Sequence, residues 1–329
     1  MQGRAENTGL TTVQEIIKRK FTKEKIHRFI FGTREKQGFG KQFVVYALLI
    51  CIGFVYLYPM LYMISTSFMS RDDLLDTSIK WLPSSFYLDN FIDAAKSMDF
   101  WPSFGKGILI AGLPTLCNVF IDMIVGYGFA RYDFKGKKIL MGVLIFSYIL
   151  PSQVTMIPTY VLFNKIGIQG TLLTFILPAL FGNGLNAPIF ILIFYQFFRQ
   201  IPKVLMEAAS IDGAGHFKAF FKIAIPSAVP AIVTVVLFSF VWYWNESYLT
   251  ELYVQGLATK SNWVNLVVQL KNFDSSFETK ASVGDTATSL NESVRMAATT
   301  LSILPLLIMY LFLQKQFVES IDRAGITGE

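Results

Sequence analysis

Three groups of side chains in this sequence are of types and spacings that could do chemistry beyond packing. The first is a pair of carboxylates, Glu207 and Asp212, in the polar stretch RQIPKVLMEAASIDGAGHFKAFFKIAIP, Arg199–Pro226. Beside the small residues Ala208 and Ala209 they leave a low surface that another chain can approach, and they offer charge-assisted bonds to a basic partner. The second is Asp122, an isolated acid inside an apolar run, where an ionisable group costs several kcal/mol unless it is paired or wet. It stands roughly 13 Å along a helix from Arg131. Asn118, one turn earlier on the same face, is an available local partner, so Asp122 reads either as part of a polar cluster in the bundle or as a group facing a passage. The third group is Gln153, Asn183, Asn186, Tyr243, Trp244, Asn245 and Glu246, near the ends and breaks of apolar runs. These types suit a polyhydroxylated ligand, although Tyr243 and Trp244 read equally well as an interfacial aromatic belt.

Other chemistries lack their groups. The sequence has no Gly-x-x-x-x-Gly-Lys-Ser/Thr phosphate loop and no His-Glu-x-x-His helix, and its two histidines, His27 and His216, are too far apart to suggest a metal pair. Cys51 and Cys117 lie in apolar runs, where a thiol behaves as a small hydrophobe. No catalytic residue, cofactor or metal is therefore expected, and a membrane-embedded enzyme would lack its nucleophile, base or clustered acids. A proton-coupled secondary transporter would need a relay, and the apolar runs offer only Asp122 and Glu246.

The elements that must position these residues are membrane helices. Hydrophobic residues make up 53% of the 329 and charged residues only 16%, against about 25% charged in soluble domains; the mean hydropathy is +0.47. So much apolar surface needs lipid as its solvent. Runs long enough to span are Phe43–Phe68, Gly107–Ala130, Ile139–Leu162, Leu172–Phe198, Ser227–Tyr248 and Ala297–Gln314. The expectation is an all-α integral membrane protein with six transmembrane helices, the first retained and not cleaved as a signal peptide.

Six spans put both termini on one side. The segments 1–42, 131–138, 199–226 and 315–329 carry 20 of the 29 Lys and Arg, whereas 70–106, 163–171 and 249–296 carry nine. The acids divide almost evenly, so the bias predicts cytoplasmic N- and C-termini. The net charge of +6 is thereby assigned to topology, and a nucleic-acid partner loses its support. Domain organisation reads as a basic cytoplasmic leader 1–42, a transmembrane domain 43–314 and a cytoplasmic tail 315–329. In the leader, Val13, Ile16, Ile17, Ile26, Phe29 and Ile30 alternate with Lys and Arg at helical spacing, the pattern of an amphipathic helix on membrane lipid. External loops 70–106 and 249–296 offer a docking face.

Within 199–226, Pro202 predicts a helix start, Lys203–Ile211 about two turns, and Gly213 the stop. Phe217, Phe220, Phe221 and Ala224 then form an apolar stripe opposite Lys218 and Lys222, predicting a segment along the membrane surface.

This loop resembles the coupling loop of binding-protein-dependent ATP-binding-cassette importer permeases, which reads Glu-Ala-Ala, three residues, Gly, nine residues, Ile, one residue, Leu-Pro. Glu207, Ala208, Ala209, Gly213, Ile223 and Pro226 stand at those spacings, with Ile225 in place of Leu. Gly126–Lys138, GYGFARYDFKGKK, resembles the end of the second span in the maltose-transporter type of oligosaccharide-uptake subunit. Tyr148–Thr171, with Pro151, Gln153, Pro158 and Gly167, resembles its third span and outer turn. WYWNESYL, Trp242–Leu249, resembles the end of its fifth span, with Glu246 and Ser247 departing. The C-terminal segment keeps Gln314, Phe317 and Val318 but departs at Ser320, Asp322 and Thr327.

The resemblance implies the type I importer permease fold in a bacterial inner (plasma) membrane, multi-pass. It implies a chain that forms half of a carbohydrate pathway, with Glu207, Ala208, Ala209, Asp212 and Gly213 contacting an ATPase. The implied partners are two nucleotide-binding ATPase subunits that bind the ATP, a homologous second permease and an extracytoplasmic solute-binding protein.

Overall fold

The computed structural model describes residues 39–78, 81–211, 213–255, 263–282 and 290–326. The leader's amphipathic pattern and Asp212 therefore lie outside the described residues. No β-strand occurs among those described. The chain divides into two units, Met1–Ser65 and Thr66–Glu329.

The described part of the first unit belongs to one helix, α1 (Phe39–Ser67), which contains Pro59. Its side chains from Phe43 to Tyr62 are mostly apolar and exposed. A helix satisfies its own backbone, so such a surface suits hydrocarbon.

The second unit begins with the short helices α2 (Arg71–Leu75) and α3 (Asp89–Ser97). Ser70 and Asp73 form a reciprocal capping box. Asp73 also accepts from the Ser84 hydroxyl at 2.5 Å, and these bonds hold its carboxyl below the usual carboxylate range. The central pillar is α4 (Phe100–Arg131). It is followed by α5 (Lys137–Ile149), α6 (Ser152–Lys165), α7 (Leu173–Leu180), α8 (Ala187–Gln200), α9 (Lys203–Ile211), α10 (His216–Ser227) and α11 (Val229–Asn245). A one-turn π segment, Thr250–Gln255, precedes α12 (Leu266–Lys271), α13 (Phe273–Ser282) and α14 (Glu292–Ile326).

Among the described residues, three helices are long and apolar enough to cross a membrane: α1, α4 and Glu292–Lys315 of α14. Two further candidates are bent pairs, α5 with α6 at 95° and α10 with α11 at 74°. The expected third span is thus not a straight helix, whereas the bend before α11 falls at Ala228, at the start of the expected fifth span Ser227–Tyr248. At the first bend Pro151 has no N–H to donate, and Leu150 before it is extended with ψ 124°, as sterics before proline demand. The expected fourth span, Leu172–Phe198, is also interrupted: α7 and α8 flank a break at 181–186, where Asn186 has φ 56°. The C-terminal segment expected as a tail from residue 315 continues α14 as far as Ile326.

The core of the second unit follows α4. The half nearer the start of α4 packs Ile110 and Ala111 with Phe175, Tyr243, Trp244, Tyr253, Leu266 and Val294. Its other half packs Met123 and Tyr127 with Phe190, Phe194, Phe198, Phe220 and Val235. Here α4 and α8 approach closely because Gly126 has no side chain: a Cβ would stand 2.6 Å from Phe194 Cβ and 3.0 Å from the Ile191 oxygen and Tyr195 nitrogen.

Gly126→Ala is therefore expected to destabilise the purified chain by about 1–3 kcal/mol, because the opposing atoms are backbone and Cβ and cannot rotate away. Gly112→Ala on the same helix meets nothing within 4 Å and should be neutral or stabilising. Thermal unfolding in detergent reads both.

Candidate functional site

The polar loop between α8 and α11 folds as the punctuation of its sequence dictates. Ile201 is extended at ψ 124° because Pro202 follows, and its side chain is buried. Nine residues of α9 then run from Lys203 to Ile211. Gly213 takes φ 75°, and the Ala214 N–H donates to the Ala209 oxygen at 2.8 Å. That six-to-one bond with a left-handed residue is the Schellman ending, which glycine adopts at least cost.

The helix shows one face inward and one outward. Ala209 is buried and Met206 half-buried, while Val204, Leu205, Glu207, Ala208 and Ile211 are exposed. Glu207 and Ala208 thus share the free surface with three aliphatic side chains.

Behind the helix, its base is tied to the pillar. Arg131 at the end of α4 donates through Nη2 to the Ile201 oxygen at 2.8 Å, a cation on the last free carbonyls of a helix. The Tyr127 ring packs edge-on to Phe198 at 5.2 Å and tilted on Phe220 at 4.7 Å. A cleft of about 580 Å³ lies between the end of α4 and α9, lined by Tyr127, Arg131, Tyr132, Met206, Glu207 and His216 among others.

The expected apolar stripe of α10 is divided. Phe220 and Ala224 are buried, whereas Phe217 is 83% and Phe221 53% exposed. The helix passes into a π turn over Phe220–Ala224, whose wider winding changes the α-helical spacing beyond that point; Phe217 precedes the turn and is exposed independently of it.

The polar and aromatic set is distributed over several environments. Gln153, Asn183, Asn186 and Asn245 are exposed. Tyr243 and Trp244 are 1% and 2% exposed, at the heart of the core. The Tyr243 hydroxyl accepts from the Leu185 N–H at 3.0 Å, and Trp244 Nε1 donates to the Ser302 oxygen at 3.3 Å. Glu246 accepts from the Leu249 N–H at 2.8 Å, closing the turn before the Thr250–Gln255 segment. The break at 181–186 brings Asn183 and Asn186 within a few residues of Leu185, so Tyr243 supports the same stretch that exposes them. Gln153 lies elsewhere, one turn before Met156, whose oxygen accepts from the Tyr253 hydroxyl at 3.1 Å.

Asp122 is fully buried, but Asn118 is not its partner. The Asn118 amide nitrogen donates to the Leu185 oxygen at 3.3 Å and reaches Ser239 Oγ at 3.5 Å. Both carboxylate oxygens of Asp122 lack a hydrogen-bond partner among the described residues.

Sequence reasoning missed Arg131, Tyr127 and Leu185. Arg131 had a legible signal, a lone cation closing a long apolar run at a helix C-terminus. Leu185 had none, because it acts through its backbone.

These features define a class: a multi-span helical membrane protein carrying a short exposed helix between two membrane segments and tied at its base to the central helix. Residues 122–323 match the family described as binding-protein-dependent transport system inner membrane component, and the chain belongs to that family. It is 30% identical over 84% of its length, and 91% of the relative, to the protein LplC of Bacillus subtilis. It is 28% identical over 84% of its length, and 93% of the relative, to an arabinooligosaccharides transport system permease protein of Halalkalibacterium halodurans. The melibiose/raffinose/stachyose import permease of Bacillus subtilis is 28% identical over 86% of the chain and 94% of the relative. A crystal structure of a bacterial ABC transporter involved in the import of alginate aligns with TM-score 0.70 at 22% identity, over 84% of this chain and 96% of that one, a likeness of fold.

Two substitutions test the local account. Tyr243→Phe leaves the buried Leu185 N–H without its acceptor and should cost about 1–3 kcal/mol. Gly213→Ala forces a side chain into the left-handed region and should cost about 1–2 kcal/mol, with no clash to add because the space around it is open. Unfolding midpoints of the purified variants give both values.

Proposed function

We propose that this chain forms half of the translocation pathway of an ATP-binding-cassette importer for a carbohydrate, an oligosaccharide by the names of its relatives. Its partners are a homologous second permease, two ATPase subunits that bind the ATP, and an extracytoplasmic solute-binding protein. The observation that carries this reading is the exposed face of α9, with Glu207 and Ala208 free, ended by Gly213 and set between two membrane segments. The ATPase docks there, a basic side chain pairing with Glu207, and Asp212 belongs to the same contact.

The family membership and the charge bias support a six-span arrangement in the bacterial inner membrane with both termini cytoplasmic. The sixth span is α7 with α8, counted as one across the break at 181–186. Movement of the ATPase reaches the spans through the base of α9: Arg131 and the Tyr127–Phe198–Phe220 cluster couple the loop to α4 and α8 as one body. The exposed Gln153, Asn183, Asn186 and Asn245 are the groups available to sugar hydroxyls, while Tyr243 and Trp244 hold the scaffold behind them and Glu246 braces the end of α11. The chain itself is a transport subunit and carries no catalytic residue.

Charge reversal at Glu207 is the decisive variant. Losing one partner of a hydrogen-bonded charge pair at an interface costs about 2–5 kcal/mol, roughly thirty-fold or more in affinity. Glu207→Lys should therefore insert normally, yet lose the ATPase subunit on gentle purification from the native membrane and lose ATP-dependent uptake. A chain that retains full uptake in liposomes with no ATPase present overturns the reading.

A further inference from the structure

The buried Asp122 takes no part in the coupling described above, and among the described residues it has no hydrogen-bonded counter-charge. Both of its oxygens are without a partner among the described residues, as are Asn118 Oδ1, one turn away on the same face, and Thr115 Oγ1, one turn further. Asp122 and Asn118 are each 0% exposed. The cations of the elements packed around this face stand away from Asp122. On α4, Lys106 is 16 residues before it and Arg131, bonded to Ile201, is nine after it, and on α8 Arg199 bonds Tyr195 near the helix end. Neither α7 nor the break at 181–186 contains an ionisable residue. The titratable groups near Asp122 are Cys117 on its own helix and Tyr243 on α11, and Tyr243 is within electrostatic reach of the carboxylate.

The same place is rich in neutral oxygens. Asn118 Oδ1 and the Tyr243 hydroxyl converge beside Gly184, where a Cβ would stand 2.0 Å from the first and 2.7 Å from the second. Ser239 Oγ and the Leu185 oxygen lie against the Asn118 amide. A broken helix lying beside side-chain oxygens, on the same helix face as a single carboxylate in the bundle, is the kind of arrangement by which membrane proteins replace the hydration shell of an alkali cation. One negative charge, oxygen ligands and no nitrogen or sulfur ligand disfavour transition metals. Calcium takes six to eight oxygens, typically with more than one carboxylate, so a monovalent ion fits the charge.

We propose that Asp122 and Asn118, with the Tyr243 hydroxyl beside Asn118, form a binding site for one monovalent alkali cation inside the helix bundle. The ion neutralises Asp122 and fastens α4 to α11 and to the break between α7 and α8. This site is independent of the carbohydrate reading.

The test uses the full chain, purified with whatever subunits accompany it. Its unfolding midpoint is measured in sodium, potassium or choline chloride at constant ionic strength, across pH 6–8. A saturable rise of several degrees in sodium or potassium over choline is expected, as for any ligand that binds only the folded state. Isothermal titration should give about one ion per chain, and Asp122→Asn should abolish the response. Equal midpoints in all three salts overturn the site, whether or not Asp122→Asn folds. So does an alkali response that survives in Asp122→Asn. A midpoint that rises with acid in choline and is indifferent to sodium and potassium also overturns it, identifying a neutral carboxylic acid in place of an ion.

Discussion

A peptide group in hydrocarbon has no water to turn to, so every N–H and C=O in a spanning segment must be satisfied by protein. An unbroken helix meets this demand almost by itself, and in α1, α4 and α14 the interior Pro59, Pro114 and Pro305 each withhold only one N–H. The informative places are where the helices stop. At the bend after α5, the Leu150 N–H still reaches back to the Phe146 oxygen at 3.2 Å, and Pro151 has no N–H to place. At the bend before α11, the Ala228 N–H keeps its bonds to Ala224 and Ile225. At the break between α7 and α8 the N–H groups of Phe181, Gly182 and Asn183 still bond back to residues 177–179, but Leu185 bonds elsewhere. Leu185 gives its N–H to Tyr243 and takes the Asn118 amide on its oxygen. Side chains from two other helices are thereby committed to one residue of backbone.

That commitment organises the second unit around α4. Near its middle α4 supplies Asn118 to the break, at Gly126 it comes into backbone contact with α8, and at its end Arg131 holds the Ile201 oxygen. The three points lie in order along both helices, at residues 118, 126 and 131 of α4 against 185, 191–195 and 201, so the two run in the same direction along their contact. The connecting segments therefore lie outside this interface, and the loop carrying α9 leaves from its Arg131 end.

What the sequence made legible follows from how locally each feature is determined. The bounds of α9 were readable because Pro202 and Gly213 act on the backbone at their own positions. The apolar helices were readable because hydropathy averages over many residues, and the same averaging hid their interruptions: 172–198 remains apolar across a break made by the left-handed Gly182 and Asn186. The split stripe on α10 was not readable, since helical spacing says which residues share a face but not how much of that face a neighbour covers, and the π turn at Phe220–Ala224 changes the spacing without changing composition. Spacing placed Asn118 beside Asp122 on one helix face correctly, but a neighbouring backbone oxygen competed for its amide and won. Tyr243 and Trp244 fit an interfacial belt equally well by type, and only their bonds to Leu185 and Ser302 identify them as core.

The division of labour in the polar loop follows from which of its atoms are free. Ile201, Ala209, Phe220 and Ala224 are buried, and they sit before, within and after α9. The loop is thus anchored on both sides of its short helix, and α9 cannot shift without disturbing the packing of Tyr127 against Phe198 and Phe220. Had α9 hung from two exposed linkers, a force applied at Glu207 would be absorbed by their rotation. With buried residues on either side, and a glycine stop whose hydrogen bond fixes the exit angle, the same force has to be taken up by α4 and α8.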